Sequence, residues 1–444
     1  MQLLSSLSVL VRSPVALDLA PIQILYNQAI NLSLEIKIKN GLCRSLVNFL
    51  LLPWPSFIPD HKLELRKQHL AAFLLSLTKD FFAIEAVAPV SGNEALHEKN
   101  LIKINETITM IRVQIDELNG ADRNSREIYY ECIKPFINHS ISIFPAYVNY
   151  SEVCDEILSL FVVAIQVLRN QMGAEQVTSF VQTFLDIFMS NQHLYLAVAE
   201  NQPTAIKVVE KFLKLLEFIT CERGHSFQYF IPNTISLCMD HIYPSVAEKT
   251  APEVKGQLFK VLHCIFDRNW KFFFKSSVQS SLGRSHWDTC EHEAQFIQIM
   301  QAFGQSFLQT DITIFKQNLL ALESLNSKYK LYHKAAFKTS MLGQFITVLL
   351  QILIHKSHEI LQEEITLTIY NMASVDFEGF FCAFLPHFLQ EAEGLTESQK
   401  LNLKENFKIE TDHPSFIQNS QKFVNDYRFY RICNENLPPG TIKF

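Results

Sequence analysis

The chain has 444 residues with 39 Lys and Arg against 45 Asp and Glu, and its net charge of -6 argues against a protein that mainly neutralises nucleic-acid phosphates. Hydrophobic residues make up 48% of the chain, including 36 Phe, which argues against disorder and supplies a core along the whole length. The 12 glycines leave little capacity for hairpins or glycine-rich phosphate loops.

The N-terminal segment Met1–Pro14 is mildly apolar, but it lacks the basic region and the cleavage site of a secretory signal. Pro53–Pro59 predicts a break between helices, with Trp54 buried at a junction rather than exposed in a loop. The longest apolar runs, such as Ile157–Leu168 and Phe345–Ile354, are shorter than the ~18 to 20 residues that cross a bilayer. These features predict a protein of the cytosol or nucleus.

The segment from Pro203 to Gly224 shows the clearest helical period. Its first apolar stripe consists of Ile206, Val209, Leu213 and Leu216, and a second stripe beside it consists of Val208, Phe212, Leu215 and Ile219. Two adjacent apolar faces let one helix pack against its hairpin partner and against the next repeat. The pattern therefore predicts one helix of a stacked array.

Two stretches that follow carry possible sites. Thr250–Glu253 has the spacing of a capping box, and Trp270–Phe274 is so aromatic that we expect it to fill helix interfaces rather than to lie exposed. His286, Cys290 and His292 resemble zinc ligands, but no second ligand pair stands at the required spacing. We predict no metal site there and no cofactor elsewhere.

The densest basic patch consists of Lys328, Lys330, Lys334 and Lys338. Four lysines interleaved with aromatic residues suit an acidic protein surface, so the patch is the first candidate for a polar partner site. The alternative is a solvated turn between helices. His355 and His358, which follow, could act as acid and base, but a turn is also rich in such residues.

The C-terminal part continues the helical period. One apolar stripe is Leu361, Ile365, Ile369 and Met372, and the next is Phe377, Phe381, Phe384 and Phe388. Pro386 should bend the second of these helices. A capping box at Thr396–Gln399 predicts another helix start.

Helices of roughly 15 to 25 residues joined by short turns predict an all-α fold, a superhelical solenoid of antiparallel hairpins of HEAT or armadillo type or longer relatives. We expect one continuous array over residues 1–444; an ordinary helical bundle is the alternative. The motifs of serine hydrolases, zinc proteases and nucleotide-binding loops do not occur, so no enzyme is predicted.

Several long sequence segments of the chain resemble segments of one protein family. They include Glu222–Pro232, Leu349–His358, Ile369–Phe377, Phe423–Asp426 and the terminal Leu437–Phe444. In these segments the chain resembles the C-terminal part of exportins, the importin-beta-like (karyopherin) receptors of nuclear export, and in particular those that carry profilin-bound actin.

The resemblance implies a receptor that binds profilin–actin cargo together with Ran-GTP and passes the nuclear pore through phenylalanine-glycine nucleoporins, shuttling between nucleus and cytoplasm. Exportins are more than twice this long, so we expect the N-terminal Ran-binding repeats to be missing here. No family motif assigns contacts to individual residues. The competing hypothesis is a HEAT-repeat scaffold that organises a multiprotein complex without Ran dependence.

Overall fold

The computed structural model describes residues 19–29, 36–50, 60–84, 94–200, 202–221, 225–248, 251–274 and 290–434. The helices are α1 Ala20–Ala29, α2 Ile36–Leu50, α3 Asp60–Phe82, α4 Glu94–Glu117, α5 Arg123–Ile143, α6 Ser151–Ser190, α7 His193–Ala199, α8 Pro203–Thr220, α9 Ile231–Ser236, α10 Tyr243–Val246, α11 Pro252–Phe273, α12 Glu293–Ser306, α13 Ile312–Tyr329, α14 Ala335–Ser340, α15 Leu342–His355, α16 Gln362–Ala373, α17 Phe377–Gly379, α18 Leu385–Gln390, α19 Glu397–Asn406 and α20 His413–Asn434. Short 3-10 turns and two π-helical turns, Leu237–Ile242 and Phe380–Phe384, lie between them. The described residues form no strand, so the predicted all-α repeat fold is confirmed.

The chain divides into two compact units. One unit comprises Met1–Leu237 with Pro244–Val254, and the other comprises Cys238–Tyr243 with Lys255–Phe444. The expectation of a single continuous array stays a prediction. Among the described residues, no helix is both long and apolar enough to cross a membrane.

Successive hairpins of the first unit stack so that each helix contacts its equivalent in the next hairpin. Helix α4 packs on α6, and α6 in turn packs on α8. Glu156 of α6 accepts hydrogen bonds from Thr109 (3.1 Å) and Arg112 (3.2 Å) of α4. On its other side α6 offers Asp155, which pairs with Lys211 of α8 at 2.5 Å. Polar pairs at both flanks therefore fix α6 between its neighbours.

Helix α6 contains a break that the periodicity does not reveal. Gly173 has φ 75° and ψ 162°, a conformation that side-chain-bearing residues rarely adopt, and it joins two helical halves. The first half buries residues such as Ile157 and Phe161, and the second buries Phe184. The long apolar run that begins at Ile157 thus continues into two core helices at an angle.

Helix α8 confirms the helix predicted from Pro203. Residues of both stripes are buried, including Val209 and Leu213 of the first and Phe212 and Leu215 of the second. The helix ends at Thr220, earlier than the predicted stop at Gly224, which lies outside the described residues. Burial of two faces is what stacking of hairpins requires.

In the second unit, equivalent helices run parallel, and each pair has its own sequence separation. Gln317 of α13 donates to the carbonyl of Gly256 in α11 at 2.9 Å, a separation of 61 residues. Asn371 of α16 donates to Glu323 of α13 at 2.7 Å, a separation of 48 residues. These separations exceed the ~40 to 47 residues of HEAT repeats, so the repeats are the longer relatives.

The C-terminal helices confirm one expected signal and correct another. Thr396 and Gln399 form the capping box that starts α19. The stripe of Leu361, Ile365, Ile369 and Met372 is buried as predicted. In the following phenylalanine stripe, Phe381 and Phe388 are buried but Phe377 and Phe384 are only partly so, and Phe380, Leu385 and Leu389 are buried as well.

The reason lies at Pro386, which has no N–H to donate to the carbonyl four residues earlier. The backbone forms the π-helical turn Phe380–Phe384 in front of α18. A π turn holds an extra residue and rotates the side chains that follow. The phenylalanine stripe is therefore interrupted by a change of register, and the bend expected at Pro386 stays a prediction.

Three arginines fasten helix ends to later helices. Arg66 of α3 donates to the carbonyl of Leu50 at the end of α2. Arg126 of α5 reaches the carbonyl of Leu118 (3.0 Å), just beyond α4, and Arg428 of α20 reaches that of Ile354 in α15 (2.9 Å). The last carbonyls of a helix lack hydrogen-bond partners within the helix, and a cation there also interacts favourably with the negative end of the helix dipole.

Two further sequence predictions concern residues that the structure does not describe. Trp54 with the surrounding Pro53–Pro59 lies outside the described residues. So does Thr250, so the capping box expected before Glu253 is not tested.

Candidate partner-binding site

The basic patch lies where α13 ends and α14 begins. Lys330 adopts a left-handed conformation (φ 57°, ψ 47°), and its N–H donates to the carbonyl of Asn326 at 2.9 Å. This ends α13 at Tyr329 and turns the chain into a 3-10 turn, Leu331–His333. Lys334 then occupies the N-cap position of α14. Lys330 and Lys334 lie in this connection, whereas Lys328 lies in the last turn of α13 and Lys338 lies in α14.

Lys328 is held against α11. Its Nζ lies 2.7 Å from the carboxylate and 2.9 Å from the carbonyl oxygen of Asp267, and the hydroxyl of Tyr329 donates to the same carbonyl at 2.5 Å. Partial burial would lower the pKa of Lys328, but its bonds to Asp267 and Tyr329 outweigh this and raise it. The ammonium group therefore stays charged and is already paired.

The aromatic run in α11 lines the same connection. Trp270 stacks on Tyr329 with ring centroids 4.5 Å apart and planes at 1°, and it also stacks on Phe274 at 4.7 Å. The Nζ of Lys334 lies 5.4 Å from the centroid of Phe274, within cation–π range. Phe273 and Phe274 are buried and Trp270 is partly buried. The prediction that this run fills helix interfaces is confirmed.

Tyr332 anchors the turn from inside. Its ring is fully buried and its hydroxyl donates to Glu323 at 2.8 Å. The other carboxylate oxygen of Glu323 accepts from Asn371 of α16. Burial and then the neighbouring carboxylate raise the pKa of Tyr332 well above its ordinary value. The protonated hydroxyl thus joins α13, the basic turn and α16.

Lys338 pairs with Asp376 at 3.2 Å, at the start of α17. Asp376 also caps that short helix by accepting from the N–H of Gly379 at 2.8 Å. These bonds, first that from Gly379 and then that from Lys338, lower the pKa of the Asp376 carboxyl group. The carboxylate is therefore charged at neutral pH and pairs with Lys338.

The structure engages three of the four predicted lysines in contacts within the chain. Lys328 and Lys338 form ion pairs and Lys334 lies against an aromatic ring, whereas Lys330 is exposed at the tip of the turn. Sequence reasoning missed the two aspartates. Asp376 carries a signal, since Asp is a favoured N-cap residue, but Asp267 is 61 residues away from Lys328 and carries none.

The histidines singled out as possible acid–base groups lie in structural positions. His358 is buried, its Nε2 lies 3.1 Å from the carbonyl oxygen of Gln309, and its ring lies against Phe315. Burial, followed by the charges of Arg431 and Arg428, lowers the pKa of His355. His292 stacks on Phe272 at 3.9 Å, while His286 of the zinc-like cluster lies outside the described residues.

A cavity of about 270 Å³ opens beside the break in α6. Apolar side chains of Ile165, Val177 and Ile219 line it, with Arg169 and Asn170 at its polar side. No sequence motif indicates this cavity, which Gly173 also lines.

Comparisons with known proteins identify relatives along the chain. Residues 266–433 match the family described as Exportin-6, C-terminal TPR repeats. The chain is 43% identical to Exportin-6 of Mus musculus and 44% identical to Exportin-6 of Homo sapiens, in each case over 99% of this chain and 40% of the relative. Exportin-6 of Dictyostelium discoideum is 27% identical over 87% of this chain and 35% of the relative. The chain thus spans well under half the length of these relatives.

Proposed function

This chain is a homologue of the exportin-6 proteins over nearly its whole length, and from that premise we propose that it is a segment of a nuclear export receptor. In this proposal the receptor binds profilin–actin as cargo together with Ran-GTP and carries it through the nuclear pore into the cytoplasm. The observation that carries the proposal is the identity of 43% and 44% over 99% of the chain.

The geometry supports binding rather than catalysis. Stacked parallel helices with two buried faces leave long surfaces between neighbouring helices, the kind that repeat proteins use for partners. The relatives are named as exportins and not as enzymes. Passage through the pore would rest on weak contacts with phenylalanine-glycine nucleoporins, and the receptor would shuttle between nucleus and cytoplasm.

The proposed mechanism is a coupling of two binding sites. If Ran-GTP favours the arrangement of repeats that also fits the cargo, each ligand raises the affinity of the other by the same factor. Hydrolysis of GTP then releases both. Small adjustments at many helix contacts, such as those at Asp155 and Glu323, would sum to the change.

Within this proposal the basic patch of Lys328, Lys330, Lys334 and Lys338 meets an acidic surface of a partner. Lys330 is its exposed tip, while Lys328 and Lys338 are held by aspartates that a partner would have to replace. Replacing Lys330 by Glu should weaken partner binding, whereas the same change at Lys404, an exposed lysine of α19, should not.

The test is a pull-down of purified profilin and actin on the immobilised chain, with and without Ran locked in its GTP state. Retention that requires Ran-GTP supports the proposal as stated. Retention regardless of Ran would favour the Ran-independent scaffold, and loss of retention under both conditions would contradict cargo binding by this segment.

A further inference from the structure

The constant register between α13 and α16 also aligns exposed aliphatic side chains. Lys316 pairs with Glu364 at 3.9 Å, and Glu323 bonds Asn371 in the same register, 48 residues apart. Leu320 lies one turn before Glu323. Leu367 lies one turn before Asn371, so the two leucines lie side by side between the two polar contacts.

The same register brings further aliphatic residues together at the N-terminal ends of the two helices. Ile312 begins α13, and Ile360 stands 48 residues later. His358 contacts the carbonyl oxygen of Gln309, which places Ile360 beside the loop that carries Leu308. We name Leu308, Ile312, Leu320, Ile360 and Leu367 the aliphatic strip.

All members of the aliphatic strip are exposed in spite of this alignment. The exposed fractions are 79% for Ile360, 65% for Leu308, 54% for Leu320 and 41% each for Ile312 and Leu367. Isolated exposed leucines are ordinary on protein surfaces, but here five exposed aliphatic residues are concentrated on α13, α16 and the turns that precede them, with only the Lys316–Glu364 pair between them. Such a surface is typical of a place where a partner binds.

The charge around the aliphatic strip is predominantly negative. The segments that form it, residues 308–323 and 356–371, carry carboxylates at Asp311, Glu323, Glu359, Glu363 and Glu364 against lysines at Lys316 and Lys356, and Lys255 of α11 donates to Gln309 in the same loop. Lys316 and Lys356 are themselves paired with Glu364 and Glu359. A partner that presents an apolar stripe with basic flanks would complement both properties.

We propose that the aliphatic strip binds a basic amphipathic helix of a partner protein. Ile312 and Leu320 are eight residues apart on α13, about 12 Å along the axis, and a helix repeats its apolar face at about 10.5 to 12 Å. An extended segment would bring unpaired peptide groups to an aliphatic lining, whereas a helix satisfies its own. The proposal does not depend on the transport function.

The test uses a fluorescein-labelled synthetic peptide of about 18 residues, with leucines three and four residues apart on one face and lysines on the rest. Its binding to the full chain is measured by fluorescence anisotropy. The double variant Leu320→Ser/Leu367→Ser should weaken binding about tenfold, because apolar contact is lost without any change of charge. The matched control is Leu401→Ser/Ile409→Ser, which removes two side chains of the same unit that are at least as exposed (54% and 74%) and should leave binding unchanged.

Two further probes decide the class of ligand. A peptide with glutamates in place of the lysines, and one of the same composition with central prolines that prevent a helix, should both bind at least about tenfold less tightly. The proposal is overturned by equal losses in both double variants, by full binding of the proline peptide, or by no binding of the basic peptide. It is also overturned if sedimentation shows self-association that only the strip variant removes, since a second copy would then occupy the surface.

Discussion

Removal of one buried hydroxyl group should weaken the contact that joins α13, the basic turn and α16. In Tyr332→Phe the carboxylate of Glu323 loses its 2.8 Å hydrogen bond from the phenol but keeps that from Asn371. Hydrogen bonds to charged groups contribute about 1.5 to 3 kcal/mol. Because Glu323 is only half-buried and water can replace part of the loss, we expect a decrease of about 1.5 to 2 kcal/mol in the free energy of unfolding.

The matched control is Tyr370→Phe in α16. The hydroxyl of Tyr370 donates to the carbonyl of Thr411 at 3.2 Å in an exposed position, so its loss should cost only about 0.5 kcal/mol. Urea unfolding gives the free energies, and hydrogen exchange in α13 and α16 locates the effect. Equal losses in the two variants would refute the reasoning. So would an undiminished effect of Tyr332→Phe in a Glu323→Gln background, because a coupled pair must be non-additive.

Three more perturbations test other features of the fold. Arg428→Met should increase hydrogen exchange in α20 and lower stability by about 1 to 3 kcal/mol, because helix-end carbonyls lose a charged donor, whereas Lys422→Met on the same helix should have little effect. Gly173→Ala should destabilise the first unit by about 1 to 3 kcal/mol in thermal unfolding, while Gly120→Ala, with negative φ and open space around the added methyl group, should be nearly neutral. The lowered pKa of Asp376 means that its contribution to stability is present above the ordinary value of 3.8 and is lost as pH falls through the folded-state value, so Asp376→Asn should flatten the decrease in stability seen below about pH 4 by urea titration.

The parts of the fold that local chemistry determines were predictable. Helix α8 follows from the apolar spacing after Pro203, and α19 follows from the capping box at Thr396, since both signals act within a few residues. Gly173 could not be identified as a break, because a glycine inside an apolar helical pattern is compatible with a straight helix. Its positive φ is evident only in the structure, where Gly173 joins the two halves of α6.

In the candidate sites, too, local features could be predicted from the sequence and contacts between distant residues could not. Lysine spacing identified the patch around Lys330, but pairing of Lys328 with Asp267 depends on the repeat register, which one sequence does not disclose. The aliphatic strip could not be predicted for the same reason, because it also depends on the repeat register. A helix with apolar residues on two faces is read as buried on both, and only the placement of α16 beside α13 shows that Leu320 and Leu367 stay exposed.

The hydrogen bonds from arginines to helix-end carbonyls have a consequence for engineering of this chain. A guanidinium group can contact the last carbonyls of an earlier helix only if that helix ends at the right residue, as α15 does for Arg428. One extra residue in α15 would turn its final carbonyl by about 100° and carry it out of reach. Grafted or consensus-designed repeats must therefore keep the length of the helix together with the arginine that contacts its last carbonyls. The loops between hairpins can change length more freely.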